Sequence, residues 1–234
     1  MTMKLAEALP SMVVPWTARD AAKAIVLVAV GALVLALTAL LVARLLADPK
    51  GASTLFLPFA VQGVLLLALW RFGPWRYGRS WSALGLRRTL NNGAPLALLA
   101  VASSVGFAVF YSMAVTFLGL DSLRPPQLPS QLLDTYAERL AMFTLAGVVA
   151  PVVEEAFFRG FLLPAFLARW GFVPGASLVS LLFAMSHGVL ALLIPAFVSG
   201  LLLAWLYRRT GSLWNCVLAH GAQNAIAFAV AVSV

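Results

Sequence analysis

The sequence predicts an all-α fold, a polytopic membrane helix bundle with about seven transmembrane helices. Two observations lead to this prediction. The 234 residues are 62% hydrophobic and only 10% charged, whereas soluble domains are close to half apolar and a quarter charged. The apolar residues are also gathered into long runs, and a helix needs roughly 17 to 25 such residues to cross the hydrocarbon core of a bilayer.

Seven apolar runs are candidate spans, and one membrane domain covers residues 1–234. A polar, proline-rich stretch at 121–131 is predicted to be a loop before the fourth span. The fourth span is long and contains Pro151 and Pro164, which indicates a bent helix. The fifth and sixth spans are short and nearly continuous. The predicted spans are 22–47, 52–70, 93–118, 137–168, 174–190, 191–207 and 212–233.

The formal net charge of +8 is compatible in principle with a nucleic-acid-binding protein. However, the basic residues cluster between apolar spans, which favours contact with anionic lipid and a topology signal. We therefore expect membrane lipids as partners and no nucleic acid. The densest basic segment follows the second span, and the positive-inside rule places it in the cytoplasm with the N-terminus. Its basic residues are Arg71, Arg76, Arg79, Arg87 and Arg88.

Seven spans then leave the C-terminus outside. The abundance of alanine, leucine and arginine indicates a bacterial source, so the expected location is the bacterial inner (cytoplasmic) membrane. The chain has one cysteine, which excludes an intrachain disulfide.

Ionisable side chains are costly within a span and are candidates for function by default. At a rise of about 1.5 Å per residue, the candidates on the fourth, fifth and seventh spans lie roughly 12 to 22 Å from the cytoplasmic ends of their helices. This similar depth predicts that they meet at one site. The candidates are Glu154, Glu155, Arg159, His187, His220 and Asn224.

The spacing of these residues predicts which side chains pair and which face the same cavity. Glu155 and Arg159 are four residues apart and can pair on one helix face. Glu154 points about 100° away from Glu155 and is left for another partner. His220 and Asn224, also four residues apart, can face the same cavity. The predicted arrangement is a wet pocket in which Glu154 faces His187 and the His220/Asn224 pair.

Such a pocket holds the parts of a hydrolase that attacks an amide with activated water. A buried carboxylate can act as a general base. A histidine can share the water with that carboxylate, and a second imidazole with a carboxamide can stabilise the developing oxyanion. No covalent nucleophile is needed.

Other interpretations of the same residues remain open. A glutamate and two histidines are acceptable zinc ligands, although no HExxH motif is present. The charged residues could also be a structural polar cluster that holds helices together. Ser186 and Cys216 lie near the histidines, but the Ser186 side chain diverges from His187. A pair between Cys216 and His220 would leave the glutamates without a role.

Three motifs resemble the CPBP family of membrane proteases, whose best-known branch is the type II CAAX prenyl endopeptidase. They are "EEAFFR" at 154–159, "FAMSH" at 183–187 and "HGAQN" at 220–224. They are similar to the family's EExxxR, FxxxH and HxxxN motifs, in the same order. The resemblance implies an intramembrane endopeptidase of the glutamate type.

The resemblance also implies a role for each residue. Glu154 would be the general base and His187 its partner on the water. His220 and Asn224 would be the oxyanion-stabilising pair. The remaining two, Glu155 and Arg159, would form the supporting ion pair.

The expected substrate is a membrane-anchored peptide or a C-terminal tag, cleaved without a metal or other cofactor. One alternative is a zinc-dependent protease that uses the same residues as ligands. Another is a non-enzymatic bacteriocin-immunity or scaffold protein. A transporter would predict inverted repeats and broken helices in both halves, whereas the polar groups of this chain lie only in the second half.

Overall fold

A computed structural model of the chain describes residues 13–45, 52–87, 93–124 and 135–231. These residues form long helices joined by short 3₁₀ turns, and none of them lies in a β-strand. The all-α prediction is therefore confirmed. The long helices are α1 Ala18–Leu45, α2 Ala52–Phe72, α3 Gly93–Phe117, α4 Tyr136–Trp170, α5 Phe172–Ser186, α6 Leu193–Thr210 and α7 Leu213–Ala231.

Each predicted span corresponds to one of these helices, with one difference that matters for function. The fifth span was expected to continue to residue 190, but α5 ends at Ser186 and His187 follows it. Gly188, which has a φ of 66°, ends the helix because glycine adopts this left-handed conformation without a steric penalty. A 3₁₀ turn at Leu190–Leu192 then leads into α6.

Two other predictions fall partly outside the described residues. The loop expected at 121–131 begins with a 3₁₀ turn at Asp121–Leu123, and its residues from 125 onward are not described. In the basic segment, Arg88 likewise lies outside the described residues.

By length and composition, five segments of the described residues can cross a membrane, and α5 is a shorter apolar helix. Large apolar side chains of the outer helices, such as Leu37 and Phe110, are more than half exposed. Exposed apolar surface of this kind is suited to lipid. The chain is thus an integral membrane protein, while the number of crossings and the orientation stay predictions. The five segments are Ala18–Leu45, Leu57–Tyr77, Gly93–Phe117, Tyr136–Trp170 and Leu190–Thr210.

Helix α4 lies at the centre of the bundle and packs against α1, α2, α5, α6 and α7. Every residue from 155 to 166 is buried. The segment before α1 also reaches this helix, because the indole Nε1 of Trp16 donates a hydrogen bond of 2.9 Å to the carbonyl oxygen of Phe161. Glu154, Glu155 and Arg159 therefore lie on the most enclosed helix.

Helix α4 is interrupted by two π-helical segments, Leu145–Val149 and Ala156–Leu162. Each ends two residues before a proline, Pro151 or Pro164. Proline has no N–H to donate to the carbonyl four residues earlier, so the regular hydrogen-bond ladder is broken just before it. The prolines that predicted a bend are thus accompanied by two wider turns, a feature that is frequent at functional sites.

The segment between α2 and α3 inserts Leu84 into the bundle, where its side chain is fully buried. The Tyr207 hydroxyl donates a hydrogen bond of 3.0 Å to the Leu84 carbonyl oxygen. Gly160 of α4 makes this approach possible, because a Cβ there would lie 2.9 Å from both the Cβ and the carbonyl oxygen of Leu84. The loop and the central helix are therefore locked together by a glycine contact.

We expect Gly160→Ala to lower the thermal midpoint of the detergent-solubilised protein, because the Leu84 backbone would have to move. Glycine to alanine within a helix otherwise favours the helix by about 1 kcal/mol, so the expected sign is reversed at this position. Gly106→Ala is the control, since no atom lies within 4 Å of a Cβ at Gly106. Equal midpoints for the two variants would contradict the locking contact.

Candidate active site

A buried charge cluster joins α4 to α7. Arg159 donates from Nη1 to Glu155 Oε1 over 2.6 Å, and both side chains are fully buried. His220 Nδ1 lies 2.8 Å from the same Glu155 oxygen. A carboxylate oxygen that already accepts from a guanidinium can only accept from the imidazole, so Nδ1 carries the proton and donates. The predicted pairing of Glu155 with Arg159 is confirmed, and His220 is its third member.

The phenyl ring of Phe183 forms one wall of this cluster. The Arg159 guanidinium carbon lies 4.3 Å from the centroid of the ring, a cation–π contact. The rings of His187 and His220 both meet Phe183 edge to face, with centroid distances of 4.9 and 5.5 Å. Phe183 is the first residue of the FxxxH motif, and the structure places it between the two histidines and the arginine.

Glu154 occupies a different environment from its neighbour. Its side chain is 17% exposed, while that of Glu155 is fully buried. One oxygen, Oε1, accepts a hydrogen bond of 3.0 Å from Nε2 of Gln62. The other, Oε2, lies 3.9 Å from Nε2 of His220. The two adjacent glutamates therefore have separate partners, and His220 lies between them with one ring nitrogen towards each.

His187 lies at the end of α5 and is exposed. Its Nδ1 is 2.8 Å from the carbonyl oxygen of Phe183, which can only accept, so Nδ1 carries a proton and donates. Glu154 and His187 are brought to the same region by Phe183 and His220. No direct contact between them occurs among the described residues, and the shared water of the predicted arrangement stays a prediction.

Asn224 contacts the first π segment of α4. Its Nδ2 donates a hydrogen bond of 2.8 Å to the Ala146 carbonyl oxygen. Close packing of the two helices allows this bond, because a Cβ on Gly221 would lie 2.6 Å from the carbonyl oxygen of Gly147. One of the two Asn224 amide hydrogens is therefore used by the backbone. The oxyanion role of Asn224 stays a prediction that depends on the other hydrogen.

Gln62 is the site residue that the sequence analysis missed. It comes from α2, is 7% exposed, and belongs to none of the three motifs. The available signal was an amide side chain in the middle of an apolar span. Such a side chain is costly in a membrane unless it finds a hydrogen-bond partner.

The two nucleophile alternatives find no geometric support. Cys216 Sγ lies 3.5 Å from the Leu203 carbonyl oxygen, and the partner of the His220 Nδ1 is Glu155 rather than the thiol. The Ser186 hydroxyl donates to the Phe183 carbonyl oxygen over 2.7 Å. Both side chains are thus directed at backbone carbonyl groups.

The zinc alternative requires several ligands around one point. Among the described residues, no group of three or more His, Cys, Asp or Glu side chains is arranged to hold a metal ion. Glu154 Oε2 and His220 Nε2 are two neighbouring donors, but Glu155 Oε1 and both Nδ1 atoms of the histidines are engaged within the protein. The metal-free site therefore stays a prediction, and the chelator experiment below tests it.

Comparison with known proteins shows which family the second half of the chain resembles. Residues 136–226 match the sequence model of the family described as "Type II CAAX prenyl endopeptidase Rce1-like". This part of the chain is thus similar to the Rce1-like family. The Rce1-like segment includes every predicted site residue from Glu154 to Asn224 and does not include Gln62. The interpretation of the three motifs as those of a CPBP-type protease is confirmed.

The chain is also similar to a protein of Bacillus subtilis (strain 168) named "Putative membrane peptidase YdiL". The two are 24% identical over 152 residues, and the match covers 59% of each chain. The chain thus spans about three-fifths of the length of this relative. No solved structure matches the chain significantly.

Within the Rce1-like segment, we expect Arg159→Ala to lower the free energy of unfolding by about 3–5 kcal/mol, because Glu155 would be left as an unpaired buried charge. The measurement is thermal unfolding of the solubilised protein, together with the yield from membranes. Arg124→Ala is the control, since its ion pair with Asp121 is exposed and such pairs contribute about 0–1 kcal/mol.

A double variant tests the cause of this loss. Replacing both partners, Arg159→Met with Glu155→Gln, should recover part of the stability lost in Arg159→Ala, because no isolated charge then remains in the pair. A double variant less stable than the single one would show that packing, rather than the unpaired carboxylate, causes the loss.

Proposed function

We propose that this protein is an intramembrane endopeptidase in which Glu154 activates a water molecule for attack on a peptide bond. The observation that supports this most directly is the contrast between the two glutamates. Glu155 is fully buried and paired, while Glu154 is partly exposed and directs one oxygen towards His220. A general base must reach both a water and a substrate, and of the two glutamates only Glu154 is open to both.

The water would bind between Glu154 and His220. Their facing atoms are 3.9 Å apart, too far for a direct hydrogen bond but close enough for one water to contact both. Glu154 takes a proton from the water while the water oxygen bonds to the scissile carbonyl carbon. The same proton passes from Glu154 to the leaving nitrogen when the carbon–nitrogen bond breaks. The carboxylate is thereby regenerated, and no covalent intermediate forms.

His220 is suited to stabilise the oxyanion. Glu155 accepts from Nδ1 and thereby holds the ring in one orientation, with Nε2 directed towards Glu154. Protonated His220 would donate Nε2–H to the developing oxyanion. The second amide hydrogen of Asn224 would provide another donor, and the Nε2 lone pair of His187 would orient the water, as the family resemblance implies.

The substrate class follows from the location of the site. Glu154 lies on a helix that packs against five others, in a bundle with an exposed apolar exterior. A substrate would therefore approach from the lipid phase, which favours a membrane-anchored peptide or a C-terminal tag. The relative in Bacillus subtilis is bacterial, which supports a location in the bacterial inner membrane with lipids as the surroundings.

Replacing Glu154 by glutamine should abolish cleavage while the protein remains folded, since the amide cannot accept the proton. The measurement is mass-spectrometric comparison of membrane-peptide C-termini from cells with the parent protein and with Glu154→Gln. Glu138→Gln is the matched control on the same helix: Glu138 is partly exposed and closes a capping box with Thr135, a role that glutamine also fills. Identical C-termini in parent and Glu154→Gln cells would overturn the proposed function and favour the immunity or scaffold alternative.

A chelator series distinguishes this mechanism from the zinc alternative. We expect cleavage by the purified protein to be unchanged by 1,10-phenanthroline and EDTA, because Glu154 and His220 act on the water without a metal. Elemental analysis should find less than one zinc per chain. Loss of cleavage that added zinc restores would establish the metal-dependent mechanism instead.

A further inference from the structure

Gln62 connects α2 to the proposed general base. Its Nε2 donates a hydrogen bond of 3.0 Å to Oε1 of Glu154, which lies 92 residues further along the chain. Helix α2 packs against α4 at this level, so the bond crosses a helix–helix interface. The side chain of Gln62 is nine-tenths buried, which shields the bond from competing water.

The other end of the Gln62 amide has no such partner. Its Oε1 is buried and accepts no hydrogen bond from the described residues. The hydrogen bond to Glu154 is therefore the polar contact that holds this side chain in place. If Gln62 served only to join helices, a fully satisfied amide or an apolar side chain would be expected at this position. An amide satisfied only on the side of the carboxylate points instead to a role at Glu154.

The bond has a geometric consequence for Glu154. A glutamate side chain has several rotatable bonds, and a general base must lie within hydrogen-bond reach of its water. By holding Oε1, Gln62 fixes the plane of the carboxylate. Oε2 is then the oxygen that remains for the water, and it is the one that lies beside His220 Nε2.

We infer that Gln62 is a positioning residue of the active site, which orients Glu154 so that Oε2 faces the water and His220. This inference rests on the proposed function. It also assigns a role to the N-terminal half of the chain, because Gln62 lies outside the segment 136–226 that matches the Rce1-like family. The site is incomplete without α2.

The test is a steady-state comparison of kcat and KM for the full-length protein in detergent. The substrate is taken from a lipid-anchored, internally quenched peptide library, and is the peptide that the parent protein cleaves fastest. Gln62→Met, which has a similar shape but no donor, should lower kcat by about 10- to 100-fold, the scale of one hydrogen bond to a charged group. KM should stay within about twofold, because positioning affects the chemical step rather than binding.

Gln62→Asn is a second variant that keeps the amide but is one methylene shorter, so it should not reach Glu154. It should show the same loss of kcat as Gln62→Met, and it decides the question if the methionine variant does not fold. The matched control is Gly63→Ala on the next residue of α2, where no atom lies within 4 Å of a Cβ. This control should retain the parent kcat and KM.

The outcomes distinguish a failure of the role of Gln62 from a failure of the proposed function. Parental kcat in either folded Gln62 variant would overturn the inference. A raised KM with unchanged kcat would also overturn it, because it would make Gln62 a substrate-binding residue. If the parent cleaves no peptide of the library, or Glu154→Gln cleaves as fast as the parent, the proposed function itself fails.

Discussion

The ion pair between Glu155 and Arg159 is the constraint on which the rest of the structure depends. Two charges in a dry interior are tolerated only when they are paired and further hydrogen-bonded. Here the pair draws its additional contacts from three other helices: His220 of α7, Phe183 of α5, and the Gly200 carbonyl oxygen of α6, which accepts from Arg159 Nη2 at 3.4 Å. The contacts of this ion pair thus involve four helices, and the candidate active site forms where these helices meet.

The same constraint explains how adjacent glutamates come to differ. A rotation of about 100° between neighbouring residues places Glu155 inside the cluster and Glu154 at its edge. Each receives a donor suited to its place, a guanidinium for Glu155 and a neutral amide for Glu154. One turn of helix thus carries a buried, ion-paired carboxylate and a partly exposed one.

The sequence predicted the helices and the Glu155–Arg159 pair because these follow from local spacing and apolar run length. It did not predict the features that depend on residues far apart in the sequence or on local backbone geometry. Gln62 carries no motif, and only the packing of α2 on α4 brings it to Glu154. His187 lies beyond the end of α5 because Gly188 takes a left-handed conformation, a choice that periodicity does not reveal. The contact of Asn224 with a backbone carbonyl depends on a π turn, which proline placement suggests only as an irregularity.

The two π segments of α4 make its length as important as its composition. Each π segment holds more residues per turn than a regular helix, in which each residue adds about 100° of rotation. Loss of a single residue from Ala156–Leu162 would return that turn to regular winding. The helix on either side would keep its register, and the change would fall within the turn itself, which contains Arg159 with its bond to Glu155 and Phe161 with its bond to Trp16. The wide turn, rather than the regular helix around it, therefore sets the spacing at which α4 offers Arg159 and Phe161 to their partners.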